Sequence, residues 1–316
     1  MHSADLWPAT VMPLSKKEKI ELLDFLQPLF GGKLVLNQLP AELAQDLPEL
    51  YLPLAAWLNQ QRTAGTPLLV GLNGAQGSGK SSLCNLLKWV LEAAFECSTC
   101  IISIDDLYLP KAARQQLGDT VHPLLATRGV PGTHDIPFGL KLLNKLKHAP
   151  EGEEIDIPRF SKADDDRLPK AEWDYITAPV DLILFEGWCV GATAQPDDEL
   201  TEPINSLEEK EDAYGSWRRY VNGQLRGPYR ELFSLIDLQL MLEIPDWEMV
   251  YYWRKHQELQ LAAKQSGSGV MGEVALQRFI MHYERLTKHQ LQELPTSADL
   301  VMTLNQHQRV TSIKLR

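Results

Sequence analysis

The chain has 316 residues, a hydrophobic content of 44% and a formal net charge of −11 at pH 7, a composition typical of a globular protein with a large core. The acidic balance and the lack of any Lys/Arg-rich block argue against a nucleic-acid or membrane-surface partner. The longest apolar runs, such as residues 68–72, are too short to span a membrane. The first residues also lack the charged-then-apolar order of a secretion signal, so we expect a cytoplasmic protein.

Two helices are predicted before residue 62, at 15–30 and 40–61. In the first, one helical face carries four apolar side chains: Leu22, Leu23, Leu26 and Phe30. The spacing changes after the polar, glycine-containing residues 61–66. We therefore divide the chain into a helical N-terminal extension at 1–64 and a second domain at 65–316.

From residue 67 onward, short apolar runs alternate with helical periodicity. Strands alternating with helices predict an α/β fold in which a parallel sheet has helices on both faces. The predicted strands are 67–72, 100–104, 181–185, 237–244, 298–304 and 309–315, and the predicted helices are 79–95, 137–147, 246–265 and 271–291.

Two other segments contain no predicted functional site. Residues 196–212 are acidic and contain proline, so we interpret them as a solvated surface segment. Cys97 and Cys100 form one C-x-x-C pair, without the second pair or the two nearby His that a zinc site needs. Four cysteines in a chain of this length do not make a disulfide framework, so we expect them to be reduced.

The most specific motif is GAQGSGKS at residues 74–81, which matches the phosphate-binding P-loop pattern. It lies between a predicted strand and a strongly periodic helix, the context that the motif requires. Backbone N–H groups and the helix N-terminus attract polyphosphate, Lys80 reaches the β- and γ-phosphates, and the Ser81 hydroxyl ligates Mg²⁺. The predicted cofactors are therefore ATP and Mg²⁺, and the predicted nucleotide-binding residues are Gly74, Ala75, Gln76, Gly77, Ser78, Gly79, Lys80, Ser81 and Ser82.

Motifs that would assign the P-loop to other classes are missing. No N-K-x-D motif reads a guanine base, and no LSGGQ segment marks a transporter ATPase. The sequence also lacks an H-E-x-x-H metal motif and a G-x-S-x-G nucleophile elbow. The destination of the γ-phosphoryl group must therefore be inferred from other residues.

Carboxylate side chains directly follow two of the predicted strands. Asp105 and Asp106 follow residues 101–104, and Glu186 follows residues 182–185. Ligands of parallel sheets bind at the carboxyl ends of strands, so Asp105 is the predicted base for an attacking hydroxyl and Glu186 a predicted Mg²⁺ ligand. The alternatives are a helix cap for residues 107–116, for which Asp106 is suited, and a solvated strand end at Glu186.

Six segments in order, GAQGSGKSS, SIDDLYL, RGVPGTHD, IPRFSK, ILFEGWCVG and YYWRKHQE, resemble the D-glycerate 3-kinase family of plants and its yeast and bacterial relatives. The resemblance covers about residues 65–304, and it implies a P-loop kinase fold with a five-stranded parallel core. R-G-x-x-G-x-H-D and F-E-G-W are much narrower signals than the P-loop. The chain differs from plant-type members at residues 164–166, where it has Asp-Asp-Asp in place of Gly and Arg.

The resemblance implies that RGVPGTHD, at 128–135, lines the pocket for the phosphoryl acceptor. The residue types agree with this, because Arg128 can bind a carboxylate through two hydrogen bonds, and His134 and Asp135 can bond hydroxyls. Glycine and proline fix a tight loop between them. The alternative is a structural loop in which Asp135 caps a helix that begins near Pro137.

Two basic segments complete the predicted site. By resemblance, Arg159 and Lys162 lie near the acceptor and Arg254 is a lid arginine that neutralises the transferring phosphoryl group. The lid helix would precede a flexible stretch at 265–270. The alternatives are a charged surface loop at 158–167 and an ordinary amphipathic helix with Trp253 in the core.

The combined interpretation is a kinase that phosphorylates a small hydroxy acid, D-glycerate by resemblance, to 3-phospho-D-glycerate. Asp105, Lys80 and Arg254 are the predicted catalytic residues. One alternative is a kinase of the same fold that acts on pantothenate or a nucleoside. Another is a regulator that hydrolyses ATP and needs no acceptor pocket. The sequence predicts no oligomeric state.

Overall fold

The computed structural model describes residues 6–8, 10–11, 13–264 and 271–316, and the side chains of residues 260–264 lie outside this description. The described strands form one large sheet and two small two-stranded sheets, β3 with β6 and β4 with β5. They are β1 (Leu68–Gly74), β2 (Thr99–Ser103), β3 (Glu154–Ile157), β4 (Phe160–Ser161), β5 (Asp166–Arg167), β6 (Asp174–Thr177), β7 (Leu182–Gly187), β8 (Leu238–Glu243), β9 (Leu300–Leu304) and β10 (Val310–Leu315).

The large sheet has the strand order β10-β9-β8-β1-β7-β2. Five of its strands run parallel, and β10 pairs antiparallel with β9. β1 and β7 are buried along their whole length, as expected for central strands covered on both faces. The predicted parallel core of five strands is therefore confirmed, and β10 extends it at one edge.

Helices cover both faces of the sheet. Along β1, Val70 and Leu72 belong to one hydrophobic cluster and Leu69 to the other, which follows from the two-residue period of a strand. No helix in the described residues is both long and apolar enough to cross a membrane. The helices are α1 (Lys16–Leu36), α2 (Leu52–Gln60), α3 (Lys80–Phe95), α4 (Lys111–Thr120), α5 (Ile136–His148), α6 (Ser206–Glu211), α7 (Ser216–Arg226), α8 (Pro228–Phe233), α9 (Glu248–Lys264) and α10 (Glu273–Ser297).

The two N-terminal helices pack on α3. Leu26, Phe30 and Leu34 form the buried face of α1, and the Phe30 ring lies 5.6 Å from the Trp89 ring of α3. Both helices share one hydrophobic cluster with a face of the sheet. The predicted helical extension is therefore confirmed, while its division from the kinase domain at residue 64 stays a prediction.

The alternative interpretation, in which Asp106 caps a helix at 107–116, is wrong. A single 3₁₀ turn covers Ile104–Leu107, and α4 begins at Lys111. Pro110 explains the shift, because proline has no N–H and disfavours helical backbone in the residue before it. Asp106 therefore caps no helix, and its carboxylate instead accepts a hydrogen bond from the Phe160 N–H at 3.1 Å.

Two other predictions need correction. The helix predicted at 40–61 is broken into a 3₁₀ turn at Ala41–Asp46, a π turn at Leu47–Tyr51 and α2. The segment at 196–212 is not wholly solvated, because Glu208 and Asp212 are buried. Their charges are compensated by Arg285 and Arg218, at 2.7 and 3.0 Å, as buried carboxylates require.

Candidate active site

The P-loop connects the end of β1 to the start of α3. Gly77 has a φ of 83°, a left-handed conformation that favours glycine. A Cβ on Gly77 would lie 2.8 Å from the Cβ of Trp253 on α9. The glycine therefore serves both the turn and the close approach of α9 to the phosphate-binding loop.

Lys80 and Ser81 open α3 and face the carboxyl end of the sheet. The Lys80 ammonium donates to the Ala75 carbonyl at 3.0 Å, and its burial lowers the pKa of the side chain against the opposing effect of Glu186 and Asp105. The Ser81 hydroxyl donates to Glu186 Oε1 at 2.9 Å. The structure thus brings the predicted phosphate ligand and both predicted metal ligands to one place.

A cavity of about 260 Å³ lies over this edge of the sheet. Its lining residues come from seven separate parts of the chain, and four of their side chains are cationic. The residues that line it are Gln76, Gly77, Gly79, Lys80, Ser81, Ser82, Asp105, Tyr108, Arg128, Lys162, Glu186, Gly187, Trp188, Arg254, Gln257, Phe279 and Tyr283.

Asp105 lies in the 3₁₀ turn after β2, where the Ser103 hydroxyl caps its N–H. Its carboxylate pairs with the Lys162 ammonium at 2.7 Å. Burial by itself would raise the pKa of Asp105, but the charges of Lys162, His134 and Lys80 outweigh it and lower the pKa to about 2. Asp105 is therefore ionised across the physiological range and is paired within the cavity.

Arg128 is the residue of the RGVPGTHD loop that borders the cavity. The rest of the loop, residues 129–134, is buried. Gly129 has a φ of 145°, and a Cβ there would lie 2.7 Å from Tyr283 Cζ. Trp188 donates its indole N–H to the Gly129 carbonyl at 3.0 Å. The loop is thus clamped by two aromatic residues, which present Arg128 to the cavity.

His134 and Asp135 lie behind the cavity and do not line it. The His134 ring stacks on Tyr108 at 4.3 Å, and its Nδ1 contacts the Tyr229 hydroxyl at 2.5 Å. Burial lowers the pKa of His134 to about 3. Asp135 caps α5 by accepting from the Phe138 N–H at 3.1 Å, so the alternative helix-cap interpretation is confirmed for this residue. A contact of either residue with an acceptor stays a prediction.

Lys162 and Arg159 have different surroundings, although both come from the basic segment at 158–167. Lys162 lines the cavity, whereas Arg159 pairs with Asp106 at 3.0 Å and with Asp174 at 2.7 Å. Arg159 borders a second cavity of about 640 Å³, which shares Ser81, Asp105, Lys162 and Glu186 with the first. The basic segment is therefore more than a surface loop. Both cations border the second cavity, and Lys162 also lines the first.

Arg254 projects from α9 into the cavity over the P-loop. Its guanidinium donates to Gln257 at 2.9 Å and pairs with Glu258 at 2.7 Å. Trp253 is buried beside it, as the alternative interpretation predicted. The flexible stretch predicted at 265–270 lies outside the described residues.

Sequence reasoning missed several aromatic residues of the cavity wall. Trp188 and Tyr108 stand close to the predicted carboxylates in FEGW and DDLYL, so proximity to those motifs was an available signal. Phe279 and Tyr283 have no such signal, because their i, i+4 spacing on α10 is typical of a core-facing stripe.

Among the described residues no group of three or more His, Cys, Asp or Glu side chains could hold a metal.

A P-loop after β1, the carboxylate Asp105 after β2 and an arginine over the loop define a P-loop kinase. The chain is 28% identical over 278 residues to a chloroplastic D-glycerate 3-kinase of Arabidopsis thaliana, a match of 81% of this chain and 58% of the plant protein. It is 31% identical over 231 residues to an uncharacterized kinase of Schizosaccharomyces pombe, covering 71% of this chain and 81% of that protein.

Solved structures agree with these matches. A D-glycerate 3-kinase of Cryptococcus neoformans superposes with a TM-score of 0.68 at 25% identity, covering 84% of this chain and 97% of that one. No protein-family model matches the chain. The protein belongs to the kinase family that contains the D-glycerate 3-kinases, which confirms the resemblance drawn from the motifs.

Proposed function

We propose that the protein transfers the γ-phosphoryl group of ATP to D-glycerate, forming 3-phospho-D-glycerate and ADP. One observation carries the proposal: the base candidate Asp105 and the arginine Arg128 line the same cavity as Lys80 and Ser81 of the P-loop. A small hydroxy acid needs a carboxylate partner and a hydroxyl partner close to the γ-phosphate. The named function of the plant and fungal relatives supports glycerate as that acid.

In the proposed reaction the acceptor oxygen forms a bond to the γ-phosphorus while the bond to the bridging oxygen of ADP breaks. Asp105 orients the hydroxyl and receives its proton. A carboxylate with a pKa of about 2 is a weak base, which suits a loose phosphoryl-transfer transition state that places little charge on the attacking oxygen. Positioning by Asp105 therefore contributes more than proton abstraction.

Cations offset the charge of the transferring group. In this proposal Lys80 contacts the phosphates from the start of α3, and Arg254 contacts them from α9 on the other side of the cavity. The donors around Ser81 and Glu186 fit Mg²⁺, because a hydroxyl and a carboxylate 2.9 Å apart supply two hard oxygens and the remaining positions suit phosphate and water. When bound, Mg²⁺ would neutralise the phosphate oxygens. We propose Ser81 and Glu186 as its protein ligands.

The nucleotide base has a separate candidate place. A cavity of about 290 Å³ adjoins Gly79 and Ser82 of the P-loop. Its walls come from the N-terminal segment, including Leu43 and Tyr51, and from the turn between β9 and β10, including His307. We propose that the adenine ring occupies it, which would give the N-terminal segment a role in binding the nucleotide.

A kinase for a larger acceptor is the second candidate. The cavity of about 640 Å³ beyond Asp105 and Lys162 exceeds the needs of a three-carbon acid, and a Streptococcus pneumoniae pantothenate kinase is 25% identical over 171 residues. Glycerate remains the proposed acceptor because Arg128 lies in the cavity that contains the P-loop residues.

From the composition we also propose a cytoplasmic location and no nucleic-acid partner.

The test is ADP formation from ATP and Mg²⁺ with D-glycerate, L-glycerate, pantothenate and uridine supplied singly. Stimulation by D-glycerate, with a phosphate recovered on its 3-hydroxyl, is the expected result. Stimulation by pantothenate or uridine alone would support the second candidate. ADP formation that no acceptor changes would support the ATP-hydrolysing regulator instead.

A further inference from the structure

Asp165 holds the arginine that we assign to the acceptor. It lies in the turn between β4 and β5 and has a φ of 56°, a left-handed backbone that is uncommon outside glycine. Its carboxylate pairs with Arg114 at 3.0 Å and also with Arg128. One carboxylate therefore bridges two guanidinium groups at the back of the cavity.

The remaining partners of the two arginines are uncharged. Arg114 is completely buried and donates to the Leu109 and Ala126 carbonyls at 3.1 Å and to the Asp165 carbonyl at 2.5 Å. Arg128 also donates to the Lys162 carbonyl at 3.3 Å. Within the described residues, Asp165 is thus the carboxylate that compensates both guanidiniums.

Ion pairs leave one guanidinium charge near the acceptor cavity, because Arg114 and Arg128 share the carboxylate of Asp165, while Lys162 and Asp105 pair with each other. Asp164 and Asp166, on either side of Asp165, bond the Ser161 hydroxyl and the Lys111 N–H instead. A bound monocarboxylate completes the compensation. A dicarboxylate would add a second negative charge close to Asp105 and Asp165, where like charges repel each other more strongly than in bulk water.

We propose that Asp165 is a specificity-determining residue that sets the acceptor site to bind monoanions in preference to dianions. The proposal rests on the proposed function, because it takes Arg128 as the partner of the acceptor carboxylate. The ratio of the affinities for different acids distinguishes this role of Asp165 from a purely structural one. An anchoring residue would affect all acceptor acids alike, whereas a charge-setting residue changes their ratio.

The test is calorimetric binding of D-glycerate and tartronate to the full chain with ADP and Mg²⁺ present. Tartronate has the same three-carbon skeleton, with a second carboxylate in place of the hydroxymethyl group. In Asp165→Asn the preference for D-glycerate over tartronate should fall by about tenfold. This is the effect of removing one unit charge roughly 6 Å from the second carboxylate of tartronate, at an effective dielectric of about 40. Asp164→Asn is the matched control, because Asp164 is exposed and bonds the Ser161 hydroxyl at 2.5 Å. It should keep the wild-type ratio.

Asp165→Gly provides a second variant in case the asparagine variant does not fold. Glycine removes the same charge and accepts the left-handed backbone without strain, so it should show the same change in ratio. Equal weakening of both acids, or an unchanged ratio in a folded variant, would overturn the inference. Failure of the unaltered protein to bind D-glycerate would instead overturn the proposed function and the inference that rests on it.

Discussion

The proposed phosphate-binding side and the proposed acceptor side of the cavity are built in opposite ways. The phosphate-binding side comes from nine consecutive residues, 74–82, at the junction of one strand and one helix. The acceptor side brings Asp105, Arg128 and Lys162 together from separate segments. The first relies mainly on backbone geometry, whereas the second relies on charged side chains that are paired with one another.

This difference decides how each side responds to substitution. A contiguous loop keeps its shape when a distant residue changes, because its hydrogen bonds are local. The acceptor side is a chain of ion pairs, from Asp105 through Lys162 to the turn that holds Arg128. A change in one member therefore alters the charge and position of the next.

The largest expected effect separates the two sides most clearly. Asp105→Asn should lower kcat on the order of 10³-fold, since the hydroxyl loses its orienting base, while the Kd of ATP changes less than twofold. Asp106→Asn is the matched control, because its carboxylate faces Arg159. It should lose less than tenfold. Comparable losses in both variants would contradict the assignment of the base.

Arg254→Gln should lower kcat by about 10²-fold, since one cation over the transferring group is lost. The adjacent Lys255, which pairs with Glu273 at 3.0 Å outside the cavity, gives the control variant Lys255→Gln. Steady-state kinetics of both variants would check this. A KM effect on ATP without a kcat effect would show that Arg254 only binds the nucleotide.

Gly129→Ala should destabilise the protein by about 3 kcal/mol, because it combines backbone strain with a collision against Tyr283. Gly223→Ala is the contrast. It lies within α7 with open space around its Cβ position, so alanine should be neutral or stabilising by roughly 0.5–1 kcal/mol. Denaturant unfolding measures both. Equal effects would mean that the acceptor loop is not tightly clamped.

Lys162→Met should make the rate depend on pH. In the unaltered protein the pKa of Asp105 is about 2, so its ionised fraction stays near one above pH 4. Without the ammonium, burial acts unopposed by Lys162 and raises that pKa, so kcat should fall as the pH falls. We expect a loss of roughly tenfold at pH 5 relative to pH 8, because a carboxyl whose pKa lies about one unit above the pH is roughly one-tenth ionised. A flat profile in the variant would contradict the role of Lys162.

The smallest expected effect concerns the proposed adenine cavity. Leu43→Asp should raise the KM of ATP about fivefold, because an apolar wall becomes charged, and leave the KM of the acceptor unchanged. Leu36→Asp, at a position on α1 that is 81% exposed, should leave both values unchanged. If the two variants behaved alike, the base would have to lie elsewhere.

The sequence was sufficient for the sheet and for the phosphate-binding side. Strands with buried apolar runs and a helix with strong periodicity depend on local pattern, and all five parallel strands were predicted within two residues of their observed ends. The strand and helix on either side of the P-loop were also predicted from local pattern, while nucleotide binding by its nine residues stays a prediction.

The acceptor side was only partly predictable. The motifs predicted that Asp105 and Arg128 lie in one site, and both line the same cavity. The pairing of Asp105 with Lys162 and of Arg128 with Asp165, however, joins residues 57 and 37 positions apart. No local pattern encodes such contacts. The same reason explains why the cap alternative for Asp106 was wrong and why Tyr283 was overlooked, since Asp106 bonds Phe160 and Tyr283 contacts Gly129.

The most direct test of the account is acceptor-dependent ADP formation by the purified chain. With ATP and Mg²⁺ held constant, D-glycerate should stimulate ADP release and yield 3-phospho-D-glycerate, while L-glycerate, pantothenate, uridine and ribulose 5-phosphate should not. The Asp105→Asn variant should abolish that stimulation and still bind ATP. ADP release that is indifferent to D-glycerate, from a protein that binds ATP normally, would contradict the assignment of the acceptor side.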